Sequence, residues 1–132
     1  MNAQAGTIDD VMRRDFLALA PDLPIREAAA MLVREGWAGA PVLDGSGALV
    51  GMLTQKDCFR PALNASYYRQ WSGTVADQMS RAPMSIEAGT DLVTAAEIFL
   101  DHSHRLYAVL RDGAVIGVLR RRDLLGALLA MG

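Results

Sequence analysis

The sequence predicts a mixed α/β (α+β) fold built from two repeats, each a small sheet packed by helices. The first observation is an apolar run at residues 49–53, too short for most helices, which predicts a buried strand. A matching run stands 66 positions later, at residues 115–119. The second observation is an amphipathic helix pattern at residues 25–32, which returns 67 positions later. These matches predict a tandem duplication, and two copies this small are expected to pack on each other.

Each repeat is predicted to begin with a short helix. Thr7 stands three residues before Asp10, and Thr74 stands three residues before Asp77. A threonine followed at this spacing by an acidic residue is typical of a capping box, in which each side chain bonds the backbone N–H of the other residue.

A longer amphipathic helix follows in each repeat. In the first repeat Pro24 suits the first turn and Gly36 suits the C-terminal end. In the second repeat Thr90 is predicted to be the N-cap. The paired alanines at residues 28–29 and 95–96 would let each helix lie close to a sheet.

A β-hairpin is predicted next, because Gly and Asp residues separate two β-rich runs in each repeat. The paired runs are residues 41–43 and 49–53 in the first repeat, and 107–110 and 115–119 in the second. The offset changes from 67 to 66, which predicts that one residue is lost just before the hairpin, between Gly36 and Pro41. Tyr107 is then the counterpart of Pro41.

The junction where a strand feeds directly into a helix is the strongest indication of function. Unpaired backbone N–H groups at such a helix start attract anions. Thr54 and Asp57 stand at the first junction, although the same pair is also a capping box that needs no ligand. At the second junction Arg120 replaces the threonine, so Asp123 cannot be half of a capping box and is less easily explained by local helix chemistry.

The repeats are predicted at residues 7–59 and 74–125, with a connector at 60–73 and the end of a C-terminal helix at 126–132. Asn64, Ser66 and Gly73 are expected to break helical structure in the connector. Its three aromatic residues, at positions 67, 68 and 71, either cover the edge of the core or form a docking surface for another subunit. The apolar helix at residues 124–131, with Leu63 and Tyr67, predicts a homodimer through the terminal and connector helices.

Composition excludes several classes of protein. The net charge of −2 argues against a general nucleic-acid binder, and no apolar run approaches the roughly 20 residues of a membrane span. The N-terminus lacks the pattern of a signal peptide. The only cysteine, Cys58, excludes an internal disulfide and suits a reducing compartment, so we expect the protein in the cytoplasm.

The sequence predicts neither a metal site nor an enzyme. His102 and His104 have no further ligand at a suitable spacing, and two histidines alone do not make a structural zinc site. Cys58 has no clear histidine partner, and neither a P-loop nor a serine-centred elbow is present.

In their order these motifs resemble the CBS domain, and their duplication resembles a CBS pair, or Bateman module, over roughly residues 7–125. The resemblance rests on Asp-x-x-Met, the helix with paired alanines, Pro-Val-Leu-Asp before a Gly turn, and Leu-Val-Gly-Met-Leu-Thr-x-x-Asp. It implies a pseudo-twofold unit that commonly dimerises. It also implies regulatory binding of AMP, ADP, ATP or S-adenosylmethionine in clefts between the repeats, with no required cofactor.

The resemblance also implies a set of ligand-binding residues. The aspartate would accept hydrogen bonds from the ribose, and a His-Arg pair would face the phosphate. The set is Gly51, Thr54, Asp57, His104, Arg105, Gly117, Arg120 and Asp123. We expect the two clefts to be unequal: one pairs Thr54 and Asp57 with a neutral Ala-Gly at residues 38–39, and the other is richer in arginine. The second is favoured for a phosphorylated ligand, although Arg120 could equally fill this cleft itself.

Two functions follow from this sequence. The first is a stand-alone regulatory module that senses an adenine nucleotide and changes its contact with an unidentified protein. The alternative is a ligand-free structural dimerisation module that scaffolds a partner protein.

Overall fold

A computed structural model describes residues 6–81 and 85–132 of the chain. Short 3-10 helices occupy Ile8–Asp10 and Lys56–Cys58. The other elements, in chain order, are α1 (Ile25–Glu35), β1 (Gly39–Leu43), β2 (Leu49–Thr54), α2 (Phe59–Tyr68), α3 (Val75–Gln78), β3 (Ser85–Glu87), α4 (Leu92–Asp101), β4 (Leu106–Arg111), β5 (Ala114–Arg120) and α5 (Arg121–Met131). Strands β1 and β2 pair antiparallel, while β4 lies between parallel β3 and antiparallel β5. The predicted mixture of helices and small sheets is confirmed.

Two compact units divide the chain differently from the sequence repeats. Residues Leu17–Pro83 form one unit, here called the central unit. Residues Met1–Phe16 and Met84–Gly132 form the other, here called the terminal unit. The opening helix of each sequence repeat therefore belongs to the unit that holds the other repeat's hairpin.

In the terminal unit the segment after the first short helix pairs with β5. The backbone N–H groups of Arg13 and Val118 each donate to the other residue's carbonyl, at 2.8 and 2.9 Å. Beside this bridge is Gly117, where an added Cβ would lie 2.8 Å from both the Arg13 carbonyl oxygen and the Met12 Sδ. Position 117 is a glycine because the protein's own chain lies against it.

The central unit repeats this packing. Met52 and Ser80 exchange two backbone hydrogen bonds, at 3.0 and 2.9 Å. A Cβ at Gly51 would lie 2.5 Å from the Met79 Sδ and 2.8 Å from the Ser80 carbonyl oxygen. The resemblance assigns Gly51 and Gly117 to ligand binding, whereas the structure gives both a packing reason.

The predicted helix starts and helix faces mostly agree with the structure. Both short-helix capping boxes form, at Thr7 and Thr74. The first amphipathic helix starts after Pro24 and ends at Gly36, whose φ of 73° is left-handed. The buried face residues are Ile25, Ala28, Leu32, Leu92 and Ala95.

The prediction of Thr90 as the N-cap of α4 is wrong. Asp91 is the N-cap, and its backbone is extended. The Thr90 hydroxyl instead donates to the Glu87 carbonyl at 2.7 Å. This bond turns the Thr90 side chain toward β3, so it does not satisfy the helix start.

The hairpin register corrects the predicted position of the lost residue. Pro41 lies opposite Met52, and Ala108 lies opposite Val118. The counterpart of Pro41 is therefore Ala108, and Tyr107 corresponds to Ala40. The two hairpins keep the 67-residue offset up to the turn, so the residue is lost in the turn itself.

The connector is helical where breaks were expected. Helix α2 continues through Asn64 and Ser66, and the Ser66 hydroxyl donates back to the Ala62 carbonyl. Tyr67 and Tyr68 are 82% and 78% exposed, so these two rings do not cover the core.

An acidic side chain holds the first short helix in the terminal unit. Asp9 accepts a 2.8 Å hydrogen bond from the Gly89 N–H and forms an ion pair with Arg111. The Gly89 hydrogen bond, followed by the Arg111 interaction, lowers the pKa of Asp9 below its ordinary 3.8.

We expect Asp9→Asn to destabilise the protein at neutral pH by up to about 1 kcal/mol, because the ion pair is partly exposed. A carboxylate whose folded pKa is lowered stabilises the fold above its unfolded pKa and loses that contribution as pH falls through its folded pKa. The difference in unfolding free energy between wild type and variant should therefore be present at pH 7 and shrink below about pH 4. Urea unfolding at both pH values measures it, with exposed Asp22→Asn as the control. An equal difference at both would contradict the assignment.

Among residues 6–81 and 85–132, no helix has the length and apolar character needed to cross a membrane.

Candidate functional site

The two strand–helix junctions share one backbone path. We call residues 54–59 of the central unit the Thr54 junction, and residues 120–125 of the terminal unit the Arg120 junction. The Gln55 N–H donates to the Ala38 carbonyl at 2.9 Å, and the Arg121 N–H donates to the Arg105 carbonyl at 3.1 Å. Arg105 is therefore the counterpart of Ala38. The predicted match of residues 104–105 with residues 38–39 is wrong by one position, because the lost residue lies in the hairpin turn.

The Thr54 junction contains the predicted capping box. The Thr54 N–H donates to Asp57 Oδ2 at 2.9 Å, and the Asp57 N–H donates to Thr54 Oγ1 at 3.3 Å. Both side chains are half-buried. No donor in the described part of the chain hydrogen-bonds the other oxygen, Oδ1 of Asp57. The junction therefore keeps one open carboxylate oxygen beside a hydroxyl group that can still donate.

Two other side chains of the Thr54 junction donate hydrogen bonds to backbone carbonyl groups. Gln55 Nε2 donates to the Trp37 carbonyl at 2.8 Å, which holds the start of β1 against the junction. Cys58 is buried, and its Sγ donates to the Thr54 carbonyl at 3.6 Å. Burial raises the pKa of the Cys58 thiol, with a smaller contribution from the Asp57 charge. The thiol is therefore protonated at neutral pH and a poor nucleophile.

The Arg120 junction is occupied by its own arginine. Arg120 donates from Nε to Asp123 Oδ2 at 2.6 Å and from Nη2 to Oδ1 at 2.9 Å. The two side chains are 22% and 19% exposed. The expectation that Asp123 is less easily explained by local helix chemistry is wrong, because the arginine in place of the threonine supplies a bidentate partner three residues away.

The Arg13–Asp15 ion pair, also in the terminal unit, interacts electrostatically with the Arg120–Asp123 pair. Arg13 donates to both carboxylate oxygens of Asp15, at 3.0 and 2.8 Å. The Arg13 hydrogen bond lowers the pKa of Asp15, and Arg120 adds a smaller electrostatic effect. Asp123 in turn contributes to the raised pKa of Arg13, although Asp15 is its main cause. Sequence reasoning missed Arg13 and Asp15, because they are separated from Arg120 by more than 100 positions.

The side chains of His104 and Arg105, which were predicted to face the phosphate, lie in different environments. The His104 ring makes an edge contact with Tyr107 at 5.6 Å and stacks on His102 at 6.0 Å between ring centroids. The Arg105 side chain is exposed, and its guanidinium has no partner among residues 6–81 and 85–132. The structure thus places the Arg105 backbone at the Arg120 junction and leaves its charge available.

Tyr107 differs from its small counterpart Ala40. Its ring packs edge-on against Phe99 at 4.8 Å between centroids, and the residue is 4% exposed. Its hydroxyl is buried without a hydrogen-bond partner in the described part of the chain.

Among residues 6–81 and 85–132, no three or more His, Cys, Asp or Glu side chains are grouped so that they could hold a metal ion.

Each unit also has an apolar groove between its two longer helices. The central groove, about 480 Å³, is bounded by α1 and α2. The terminal groove, about 530 Å³, is bounded by α4 and α5. Equivalent residues line both, including Val33 with Leu100 and Phe59 with Leu125. None of the predicted ligand-binding residues lines either groove.

Comparison with known proteins agrees with the duplicated architecture. The family model of the CBS domain matches twice, at residues 8–63 and 73–130. The crystal structure of Arabidopsis thaliana CBSX2 in complex with AMP is similar with a TM-score of 0.83 and 26% sequence identity. The similarity covers 96% of this chain and 98% of that one.

Protein relatives include both a short chain and a large enzyme. An uncharacterized 17.7 kDa protein of Acidianus ambivalens is 24% identical over 95% of this chain and 74% of its own length. Homoserine O-acetyltransferase of Methanohalophilus mahii is 26% identical over 96% of this chain. The chain spans only 25% of that enzyme.

Proposed function

This chain belongs to the CBS-domain family, and from that premise we propose that it is a regulatory module for an adenosine-containing ligand of the AMP, ADP or ATP type. The single observation that carries the proposal is the Asp57 carboxylate at the Thr54 junction, with one oxygen open beside a hydroxyl group. The AMP complex of CBSX2 supports the choice of ligand.

The Thr54 junction suits both ends of such a ligand. A ribose cis-diol donates two hydrogen bonds, and a carboxylate only accepts them. The helix dipole at the start of the following helix favours a phosphate by roughly 0.3–1 kcal/mol, although the Gln55 and Asp57 N–H groups there are already hydrogen-bonded within the protein. At the Arg120 junction the Arg105 carbonyl accepts the Arg121 N–H, and the exposed Arg105 guanidinium is available as a bidentate phosphate partner.

We propose that binding is regulatory and not catalytic. A protonated, buried Cys58 does not provide a nucleophile. The regulated partner is proposed to be another protein that contacts the module.

A ligand panel with one matched pair of variants tests this function. A ligand at 100 times its Kd should stabilise the fold by about 2.7 kcal/mol. Thermal unfolding with adenosine, AMP, ADP, ATP, S-adenosylmethionine and GMP should show stabilisation by the adenosine compounds alone. Asp57→Asn should weaken binding by roughly 1.5–3 kcal/mol, because the charged acceptor is lost.

The matched control is Asp77→Asn. Asp77 closes the capping box of α3 with Thr74 in the same unit, with a 2.8 Å hydrogen bond from the Thr74 N–H. Both variants lose a charged cap, and only Asp57→Asn should also lose ligand affinity. Equal affinities in the two variants would remove Asp57 from the site. No stabilisation by any adenosine compound at millimolar concentration would overturn the proposed function.

We also propose that the module is a homodimer. Phe59, Leu63 and Tyr67 form an exposed stripe along α2, and Leu125 and Leu129 form its counterpart along α5. Exposed apolar faces of this kind commonly mark an interface. Because both units present the same arrangement, a second copy offers matching faces for a closed twofold assembly.

The alternative function is a ligand-free dimerisation module that scaffolds a partner protein. The Arg120–Asp123 ion pair favours it, because Arg120 occupies the carboxylate of Asp123, which was predicted to bind the ligand. A dimer that binds none of the panel would select this alternative.

A further inference from the structure

We infer that Arg120 is a built-in occupant of its junction, so that each chain binds one adenosine-type ligand, at Asp57, and not two. The inference rests on the proposed function and adds the number and place of the ligands. It gives Arg120 the role of a specificity-determining residue that excludes a ligand from Asp123.

The geometry of the ion pair carries the first step. The two donors of Arg120 lie 2.6 and 2.9 Å from the two oxygens of Asp123, so one planar fork covers the edge of the carboxylate. A ribose cis-diol is also a two-pronged donor and needs that same edge. The guanidinium and the diol therefore compete for Asp123.

Burial and neighbouring charges also hold Arg120 on Asp123. About four-fifths of each side chain is buried, so water weakens this ion pair less than an exposed one. The Asp15 carboxylate, itself bound by Arg13, also interacts with Arg120. At present the carboxylates of Asp15 and Asp123 balance the positive charges of Arg13 and Arg120. A ligand that took Asp123 would leave Arg120 without that balance close to Arg13.

The Thr54 junction shows what the arginine changes. There the counterpart of Arg120 is a threonine, whose hydroxyl binds the Asp57 N–H and leaves the carboxylate with an open oxygen. Both aspartates follow a strand at the same spacing and meet the same backbone path. The difference in side chain at one position therefore decides which aspartate is open. The preference for the second cleft, drawn from its arginines, did not include this pairing.

Calorimetric titration with AMP tests the inference. Wild type should bind one AMP per chain, and Arg120→Thr, which recreates the Thr-x-x-Asp spacing, should bind two. The control Arg122→Thr removes an exposed arginine two positions away and should leave one AMP with unchanged affinity. In the double variant Asp57→Asn/Arg120→Thr, the remaining tight site should be the opened junction.

A second measurement needs no substitution at Arg120. Asp57→Asn alone should bind AMP about 10- to 100-fold more weakly than wild type, since no other junction takes the ligand. Undiminished binding of one AMP by this variant would place the ligand elsewhere and overturn the inference.

The outcomes separate this inference from the proposed function. Two AMP molecules bound by wild type, or only one bound by folded Arg120→Thr, would overturn the role of Arg120 while adenosine binding stands. If neither wild type nor any variant binds any adenosine compound of the panel, the proposed function is overturned, and this inference with it.

Discussion

Gly117→Ala should destabilise the terminal unit by about 1–3 kcal/mol, the usual range for an added group in a close-packed position. The new Cβ would lie 2.8 Å from the Arg13 carbonyl oxygen and 2.8 Å from the Met12 Sδ. The thioether can turn away, but the carbonyl accepts the Val118 N–H at 2.9 Å. Relief of the contact must therefore strain or break the bridge that holds residues 6–16 on β5.

The matched control is Gly45→Ala in the first hairpin turn. No atom lies within 4 Å of a Cβ at Gly45, and its backbone is outside the left-handed region. This variant should be neutral or slightly stabilised, because alanine restricts the unfolded chain. Urea unfolding of both variants, together with Gly51→Ala in the central unit, measures the effect. A Gly117→Ala protein within 0.5 kcal/mol of wild type would show that residues 12–13 do not pack on Gly117.

Glutamates introduced on the exposed helix stripes should dissociate the proposed homodimer. Phe59, Leu125 and Leu129 are 65%, 60% and 73% exposed in the single chain. A specific interface buries more than about 1,000 Å², and removal of a hot-spot side chain near its centre costs about 2 kcal/mol or more. Leu125→Glu/Leu129→Glu should therefore weaken the dimer at least about 30-fold. Phe59→Glu/Leu63→Glu should do the same at the other stripe.

Light scattering at micromolar concentration measures the assembly. Wild type should have the mass of two chains, and the doubly charged variants should move toward one. Tyr68→Glu is the control, because Tyr68 is 78% exposed on the opposite side of α2 from the stripe. Monomeric wild type would refute the homodimer, and dissociation by Tyr68→Glu would show that the stripe is not the specific surface.

Local patterns in the sequence were enough to predict the elements and the family. The helix faces at Ile25 and Leu92, and the capping boxes at Thr7, Thr54 and Thr74, join residues only a few positions apart. Periodicity and side-chain spacing describe such short-range relations directly. Their order, repeated, was sufficient to predict the CBS pair that the family match confirms.

One local contact was available in the sequence and was missed. Arg120 and Asp123 stand at i and i+3, a spacing at which opposite charges meet on a helix. From the sequence, Arg120 was weighed as a phosphate ligand and as a side chain that fills its own cleft, but Asp123 was not considered as its ion-pair partner. In the structure Arg120 pairs with the nearby carboxylate of Asp123.

The sequence by itself determined the duplication, the helices and strands, and the two junctions with their aspartates. Only the tertiary structure decided which copies pack together: Met12 lies on Gly117 and Met79 lies on Gly51, so each unit takes its opening segment from the other repeat. It also decided the hairpin register and brought Arg13 and Asp15 to Arg120. Two copies with the same apolar pattern can bury it within a repeat or by exchange, and periodicity is identical in both cases. The structure shows the exchanged arrangement, in which a backbone carbonyl of the opening segment packs closely against a glycine in each unit.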